Sequence, residues 1–427
     1  MTDKAKITMT QRTNWAGNYA YQGRRWHHPE TVDQVRAIVT ESSKAKVVGS
    51  RHSFNSIADT TEDLISLDRL TGIVALDREK RTVTVEGGIA YGQLGPYLHD
   101  AGFALHNLAS LPHISIAGAC ATATHGSGVG NGNLATAVSA IEVVTSAGDV
   151  ITLSREASGD AFHGAVVSLG GIGVITKVTL DLLPAFQVRQ DVYDLLPLAQ
   201  LAENFDEIVS CGYSVSLFSD WKSSTFNHFC IKRVVADAPL PELAPQWHGA
   251  SLSTAARNPI PGMGPENCTE QLGVPGAWHD RLPHFRQEFT PSAGEELQSE
   301  YFVLRRNAFA ALSAIDGLRG QIAPLLQTCE VRTIAADTLW MSPCYEQDSV
   351  AIHFTWLKDW ERVREVLPCI EAALDPFGIR PHWGKLFTMS PATLQSRYAR
   401  LADFRDLLRQ YDPNGKFRNE FLDRYVF

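Results

Sequence analysis

The chain has 427 residues, 44% of them hydrophobic and 20% charged, which allows two or three domains with large cores of ordinary globular composition. A formal net charge of −9 argues against a nucleic-acid-binding surface, which normally shows a basic excess. No apolar run of ~18 residues could span a bilayer, the polar opening at residues 1–6 shows no secretory signal, and seven dispersed cysteines without a Cys-x-x-Cys pair fit reduced thiols in the cytoplasm better than a disulfide framework.

In chain order, Thr31 precedes Val32, Val35, Ile38 and Val39 and stands three residues before Gln34, which predicts a capped amphipathic helix. Residues 45–49 read as a short buried strand running into a turn. Residues 72–76 and 82–86, parted by charged residues, predict a hairpin, as do 140–145 and 150–153 around Ala147-Gly148-Asp149. Residues 91–100 suit a helix that Gly102 stops, and an alternating strand follows Gly173 and ends near Pro184. Beyond residue 187, alternating strands at 213–221, 226–234, 298–305, 330–335 and 349–357 are interleaved with helical patterns at 195–209, 308–320 and 360–374. That texture predicts an antiparallel sheet backed by helices, hence an α+β chain of two domains. The Pro- and Gly-rich stretch 239–276 reads as an irregular excursion over the surface. A last helix at 401–411 is stopped by Asp412-Pro413-Asn414-Gly415.

Two Gly-rich turns dominate the first half. One is Gly49-Ser50-Arg51-His52-Ser53-Phe54-Asn55; the other runs Gly118-Ala119-Cys120-Ala121-Thr122-Ala123-Thr124-His125-Gly126-Ser127-Gly128. Small residues let backbone approach a ligand closely, and successive N–H groups cradle phosphate oxygens. Neither turn fits Gly-x-Gly-x-x-Gly or the Walker pattern, and alone each reads equally well as a tight turn. Gly126-Ser127-Gly128 is not a Gly-x-Ser-x-Gly elbow. His27, His28, His99, His106 and His113 lack metal-ligand spacing, so no metal is expected.

In the second half, side chains two apart on a strand share a face. Glu330 and Arg332 therefore point one way, with Cys329, Val331 and Thr333 opposite; His353 and Thr355 pair likewise against Ile352, Phe354 and Trp356. Buried charges need partners, and a polar ligand is one. On the residues alone, a solvated face with a surface ion pair worth about 0–1 kcal/mol competes with that reading.

Asn14-Trp15-Ala16-Gly17-Asn18, the Gly49–Ser53 turn, Ser110-Leu111-Pro112-His113, the segment from Ala117 to Gly126, Gly170-Gly171-Ile172-Gly173 and Asp412-Pro413-Asn414-Gly415-Lys416-Phe417 occur in this order. Together they resemble the vanillyl-alcohol-oxidase superfamily of flavoproteins, and within it the alditol (xylitol) oxidases and their aldonolactone-oxidase relatives, over essentially the whole chain. The resemblance implies a two-domain vanillyl-alcohol-oxidase-type FAD fold: residues 1–187 as the FAD-binding domain (PCMH type), 188–385 as an antiparallel-sheet substrate cap, and 386–427 packing back on the FAD domain. It implies FAD joined covalently through His52. The cofactor's other contacts carry over to Val48, Gly49, Ser50, Arg51, Ser53, Ser110, Ser115, Gly118, Thr122, Ala123, Thr124, His125, Gly173, Ile175 and His382; for His125 a structural hydrogen-bonding role is the alternative. The family's substrate pocket matches Ser110, Gln298, Glu330, Arg332, His353, Thr355 and Lys385.

The reaction so implied is oxidation of a primary hydroxyl of an alditol of the xylitol or sorbitol type to the aldose, with O2 reduced to hydrogen peroxide. Lys385 and His353 are both candidates for taking the hydroxyl proton, Arg332 for polarising the oxygen, and Glu330 for orienting Arg332 or holding substrate hydroxyls. An aldonolactone oxidase or dehydrogenase of the same superfamily is the alternative, and a flavin-free carbohydrate-binding protein a further one that a visible spectrum separates. The expected partners are the polyol and O2, with neither nucleic acid nor membrane, and the default state is a monomer.

Overall fold

The computed structural model describes residues 12–236, 240–289 and 295–427. The opening residues 1–6 and Pro239, the first residue of the expected excursion, lie outside them. Thr31 accepts the amide of Gln34 and starts the helix Val32–Glu41. The buried face of this helix, Val35 and Val39, packs with Ala45 and Ile65 of a three-stranded parallel sheet ordered Arg25–His27, Asp63–Ser66, Ala45–Val48. The last strand delivers the chain to the first Gly-rich turn.

Both predicted hairpins form, as Ile73–Asp77 with Thr82–Glu86 and as Val138–Val144 with Val150–Ser154; they flank Val174–Asp181 in a five-stranded antiparallel sheet. Helix Tyr91–Asp100 packs against strand Phe103–Ala104 and helix Trp278–Arg281, and Gly102 ends it at φ +87°, a left-handed conformation that costs glycine little.

From Gln187 the chain builds a ten-stranded sheet. Its long strands run in the order Gln187–Pro197, Thr225–Val235, Ser214–Ser219, Leu326–Ile334, Ser349–Leu357, Glu296–Leu304, all antiparallel. One face presents Leu297, Tyr301, Val331, Ile352, Phe354 and Trp356 to a core shared with the helices Ala308–Gly317 and Trp360–Leu374. The other face carries Glu300, His353 and Glu330, which stand directly opposite one another on three adjacent strands. Alternation thus sends the polar set away from the helices.

Two expectations need correction. The helix expected at 195–209 begins only at Leu201, because residues 196 and 197 still pair with Phe226 and Thr225, while Leu195 bulges out at φ +64°. Ladder hydrogen bonds from a distant strand override the local helical pattern there. The excursion also does not stay on the surface: Asn258, Ile260, Cys268, Thr269 and Gln271 are buried. Gln271 and Thr269 enter satisfied, donating to Arg257 O and Pro283 O (both 2.7 Å), so burial costs no orphaned polar group.

Helix Leu401–Tyr411 stops at Asp412, whose carboxylate accepts the amides of Lys416 and Phe417 (both 2.7 Å). Phe417 then packs beside Val35, Val39 and Ala45, and Asn419 Nδ2 donates to the carbonyls of Ser56, Ile57 and Asp59. The tail therefore lies on the N-terminal half. Among the described residues no helix is long and apolar enough to cross a membrane.

Candidate active site

One cavity of ≈ 450 Å³ runs from the two Gly-rich turns to the polar face of the large sheet. At its first end the turns meet back to back. Ser50 Oγ accepts the amide of Ser115 (3.1 Å) while Ser115 Oγ accepts the amide of Ser50 (3.3 Å). A Cβ on Gly49 would stand 2.5 Å from Ser115 Oγ, and one on Gly118 2.9 Å from it, so the close approach requires glycine at both positions. Arg51 sits at φ +61°, a strained conformation for a long side chain, and its carbonyl accepts the amide of Trp15 (2.8 Å). His52 follows, stacked on Trp15 with ring centroids 5.4 Å apart. Its Nδ1 pairs with Ser50 Oγ (3.1 Å), but its Nε2 is buried without a partner, and burial pushes the ring down to about 4.

At the other end the centre is Glu300, fully buried. Its carboxylate accepts Arg332 Nη2 (2.7 Å) and Lys385 Nζ (2.8 Å), and His125 Nε2 stands 3.2 Å away. Burial pushes Glu300 up, yet Lys385, His125 and Arg332 outweigh it and hold the carboxyl well below the usual range. Glu330 accepts His284 Nε2 (2.8 Å) and lies 3.5 Å from Arg332 Nε. Arg332 Nη1 turns toward Ser110 Oγ and the His125 carbonyl, both at 3.4 Å. His353, between the two glutamates, has a buried Nε2 with no partner, and burial and the Lys385 charge push it down to about 3. Two residues along the strands, Gln298 and Thr355 form the next row, Gln298 Nε2 donating to Glu296 Oε1 (2.5 Å).

The comparisons agree with this geometry. Residues 26–154 match a family model described as an FAD binding domain, and residues 296–425 one described as D-arabinono-1,4-lactone oxidase. The chain is 51% identical to an alditol oxidase from Streptomyces across 97% of this chain and 98% of that one.

The chain belongs to the vanillyl-alcohol-oxidase/aldonolactone-oxidase family of flavoproteins.

An L-gulono-1,4-lactone dehydrogenase from Mycobacterium tuberculosis is 29% identical over 97% of this chain and 98% of its own. Cholesterol oxidase from B. sterolicum shares the fold, with a TM-score of 0.77, 14% identity and coverage of 97% and 96%.

The cofactor of this family member is FAD, and the residues present fit it. Gly49, Gly118 and Gly173 all line the cavity, Gly173 at φ +137°, where a Cβ would lie 2.3 Å from Val144 O. The orphaned His52 nitrogen is a buried polar atom that awaits a partner. Every cofactor residue named from the sequence lines this cavity except Ala123, which is buried off its wall at φ +54°. All the substrate residues named from the sequence line it too. Among the described residues no group of three or more His, Cys, Asp or Glu side chains is placed to hold a metal.

Sequence reasoning missed Glu300, His284 and Trp15. Glu300 carried a signal: Glu296, Gln298 and Glu300 alternate on one strand, so singling out Gln298 selected the face but not its central charge. His284 carried none, because the irregular segment that bears it is brought to the site by tertiary contacts, the amides of His284 and Phe285 donating to Ser110 O and Lys232 Nζ to Leu282 O and Pro283 O.

Proposed function

We propose that the protein uses FAD to oxidise a primary hydroxyl of an alditol of the xylitol or sorbitol type to the aldose, passing the electrons to O2 and yielding hydrogen peroxide. The observation that carries the reading is the continuity of one cavity from the His52 turn to a buried, charge-balanced cluster of Glu300, Glu330, Arg332 and Lys385. Bound there, FAD supplies the two-electron acceptor, and His52 is its covalent tether.

The protein's own part is to hold the alcohol and take its proton. Two carboxylates balance two cations, so a third charge on His353 has no counter-ion and the resting ring is neutral; its unpartnered Nε2 accepts the hydrogen bond of the substrate hydroxyl and takes the proton as the hydride leaves. Lys385 Nζ donates to Glu300 and acts as a cationic donor rather than as the base. Arg332, fixed between Glu300 and Ser110, polarises the oxygen as carbonyl character develops. Gln298 and Thr355 receive hydroxyls further along the polyol, each net hydrogen bond contributing about 0.5–1.5 kcal/mol.

The domain limits 1–187, 188–385 and 386–427 belong to this reading. They are supported by the five-stranded sheet ending at Asp181, the large sheet opening at Gln187 and the tail lying on the first half. A monomer in the cytoplasm belongs to it as well; all seven cysteines are unpaired.

A second reading has its own support, because residues 296–425 match the lactone-oxidase model. An oxygen-consumption screen with xylitol, sorbitol and an aldonolactone, with peroxide measured, separates the two. Turnover of polyols with peroxide is the expected result. Turnover of the lactone alone, or of polyols only with an artificial acceptor, would replace this reading with a lactone oxidase or a dehydrogenase.

A further inference from the structure

Three successive carbonyls, those of Trp383, Gly384 and Lys385, are all taken by the turn that carries His52. Asn55 Nδ2 donates to Trp383 O and to Lys385 O (both 2.8 Å), and the amide of Phe54 donates to Gly384 O between them (2.7 Å). Asn55 Oδ1 is held by the amide of Ile57 (3.1 Å), which fixes the direction of its two N–H bonds. From the other side the same segment is tied to the large sheet, His382 N to Glu300 O (3.0 Å) and Leu386 N to Gln298 O (2.9 Å). Residues 382–386 are thus a short bridge, bonded through amides to the strand that bears Glu300 and Gln298, and through carbonyls to the flavin-bearing turn.

The turn is itself braced by the same device. Asn14 Nδ2 donates to Ser53 O and Asn18 Nδ2 to Phe54 O (both 3.0 Å), while Asn14 Nδ2 also meets Asn18 Oδ1 (2.7 Å). Side-chain amides of Asn14 and Asn18 in this way fix the adjacent carbonyls of Ser53 and Phe54, and that of Asn55 fixes the carbonyls of Trp383 and Lys385. A carbonyl accepts two hydrogen bonds and an asparagine amide donates two, so a single Asn55 satisfies both outer carbonyls without a water.

We propose that Asn55 is a positioning residue that sets Lys385 against the flavin, coupling the placement of the tether to that of the cationic donor. The proposal rests on the assignment of Lys385 made above. Loss of the amide frees the backbone of 383–385 while leaving the Lys385 side chain, Glu300 and His52 intact. Displacing a positioned group by about 1 Å costs on the order of 10²-fold in rate.

The test compares Asn55→Ala and Asn55→Asp with Asn419→Ala as full-length, flavin-loaded proteins. Asn419 holds neighbouring carbonyls at Ser56, Ile57 and Asp59, with no side-chain hydrogen bond to 383–385 among the described residues. Rapid mixing with xylitol, sorbitol or an aldonolactone follows bleaching of the flavin, and hydrogen–deuterium exchange is read without substrate. In both Asn55 variants the rate of flavin bleaching per loaded flavin is expected to fall about 10- to 100-fold, with the substrate concentration for half-maximal rate changed less than about threefold, and exchange in 382–388 to accelerate. Asn55→Ser, which keeps one donor, recovers part of the rate. Asn419→Ala lowers the melting midpoint but keeps both the rate and that exchange. Asn55 variants that behave like Asn419→Ala overturn the proposal and leave Asn55 a structural residue. If the wild type is bleached by a lactone alone, the alditol reading fails while the positioning role is judged on the same variants; if it is bleached by none of them, exchange in 382–388 decides.

Discussion

Glu300 Oε2 holds Lys385 Nζ at 2.8 Å, joining the interior of a sheet strand to a segment 85 residues further on. The same carboxylate group also holds Arg332 and faces His125, so one side chain from the large sheet organises residues from both halves of the chain. An anion shared by two buried cations is the condition under which those cations stay in place.

Glu300→Gln keeps the shape and removes the charge. Two buried cations then lose their counter-ion, which costs about 3–5 kcal/mol of stability. The rate constant kcat is expected to fall on the order of 10²-fold as Arg332 and Lys385 shift. Chemical denaturation and steady-state assays check both; a variant with wild-type midpoint and wild-type kcat would remove Glu300 from the centre of the site.

His353→Asn removes the free imidazole nitrogen from between the two glutamates. Loss of a general base lowers kcat by about 10²–10⁴-fold, whereas flavin content and folding stay close to wild type because His353 Nε2 has no partner to lose. If the loss fell on Lys385→Met instead and His353→Asn turned over normally, the base would be Lys385.

Acid lowers stability through the histidines. Burial pushes His228 and His284 down to about 4 and His353 to about 3, while in the unfolded chain histidine takes up its proton near pH 6.5. Between those limits the unfolded state binds more protons, so stability is full above pH 6.5 and is lost as pH falls toward 4 and then 3. Denaturation midpoints should hold between pH 7.5 and about 6.5 and decline from there to pH 4.5. A flat profile over that range is the contrary result.

His52→Ala should leave protein whose acid precipitate is white, whereas the wild-type pellet stays yellow. Replacing the imidazole also takes away the ring stacked on Trp15, so non-covalent FAD is expected to dissociate more readily on gel filtration. A wild-type pellet that gives up all its colour to the supernatant rules out the tether.

Much of this architecture was legible in the residues because it depends on short-range periodicity. Thr31 with Gln34, the two hairpins, helix Tyr91–Asp100 and strand Ser349–Leu357 are each set by neighbours a few positions away. The helix at 195–209 misled because Leu196 and Pro197 answer to a ladder with Phe226 and Thr225, partners that no local window contains.

For the site the division has the same cause. By themselves, the amino acids determined the two glycine turns, the histidine that follows the first of them, and the polar faces bearing Glu330, Arg332, His353 and Thr355, since small residues and period-two alternation are properties of adjacent positions. Only the tertiary structure decided that Glu300 is the common counter-ion of Arg332 and Lys385, that His284 arrives from an irregular loop to hold Glu330, and that Asn55 reaches Lys385. Strand register and the docking of one sheet on another are settled by the packing of the whole chain, and a carboxylate finds its cations only after both have been fixed in space.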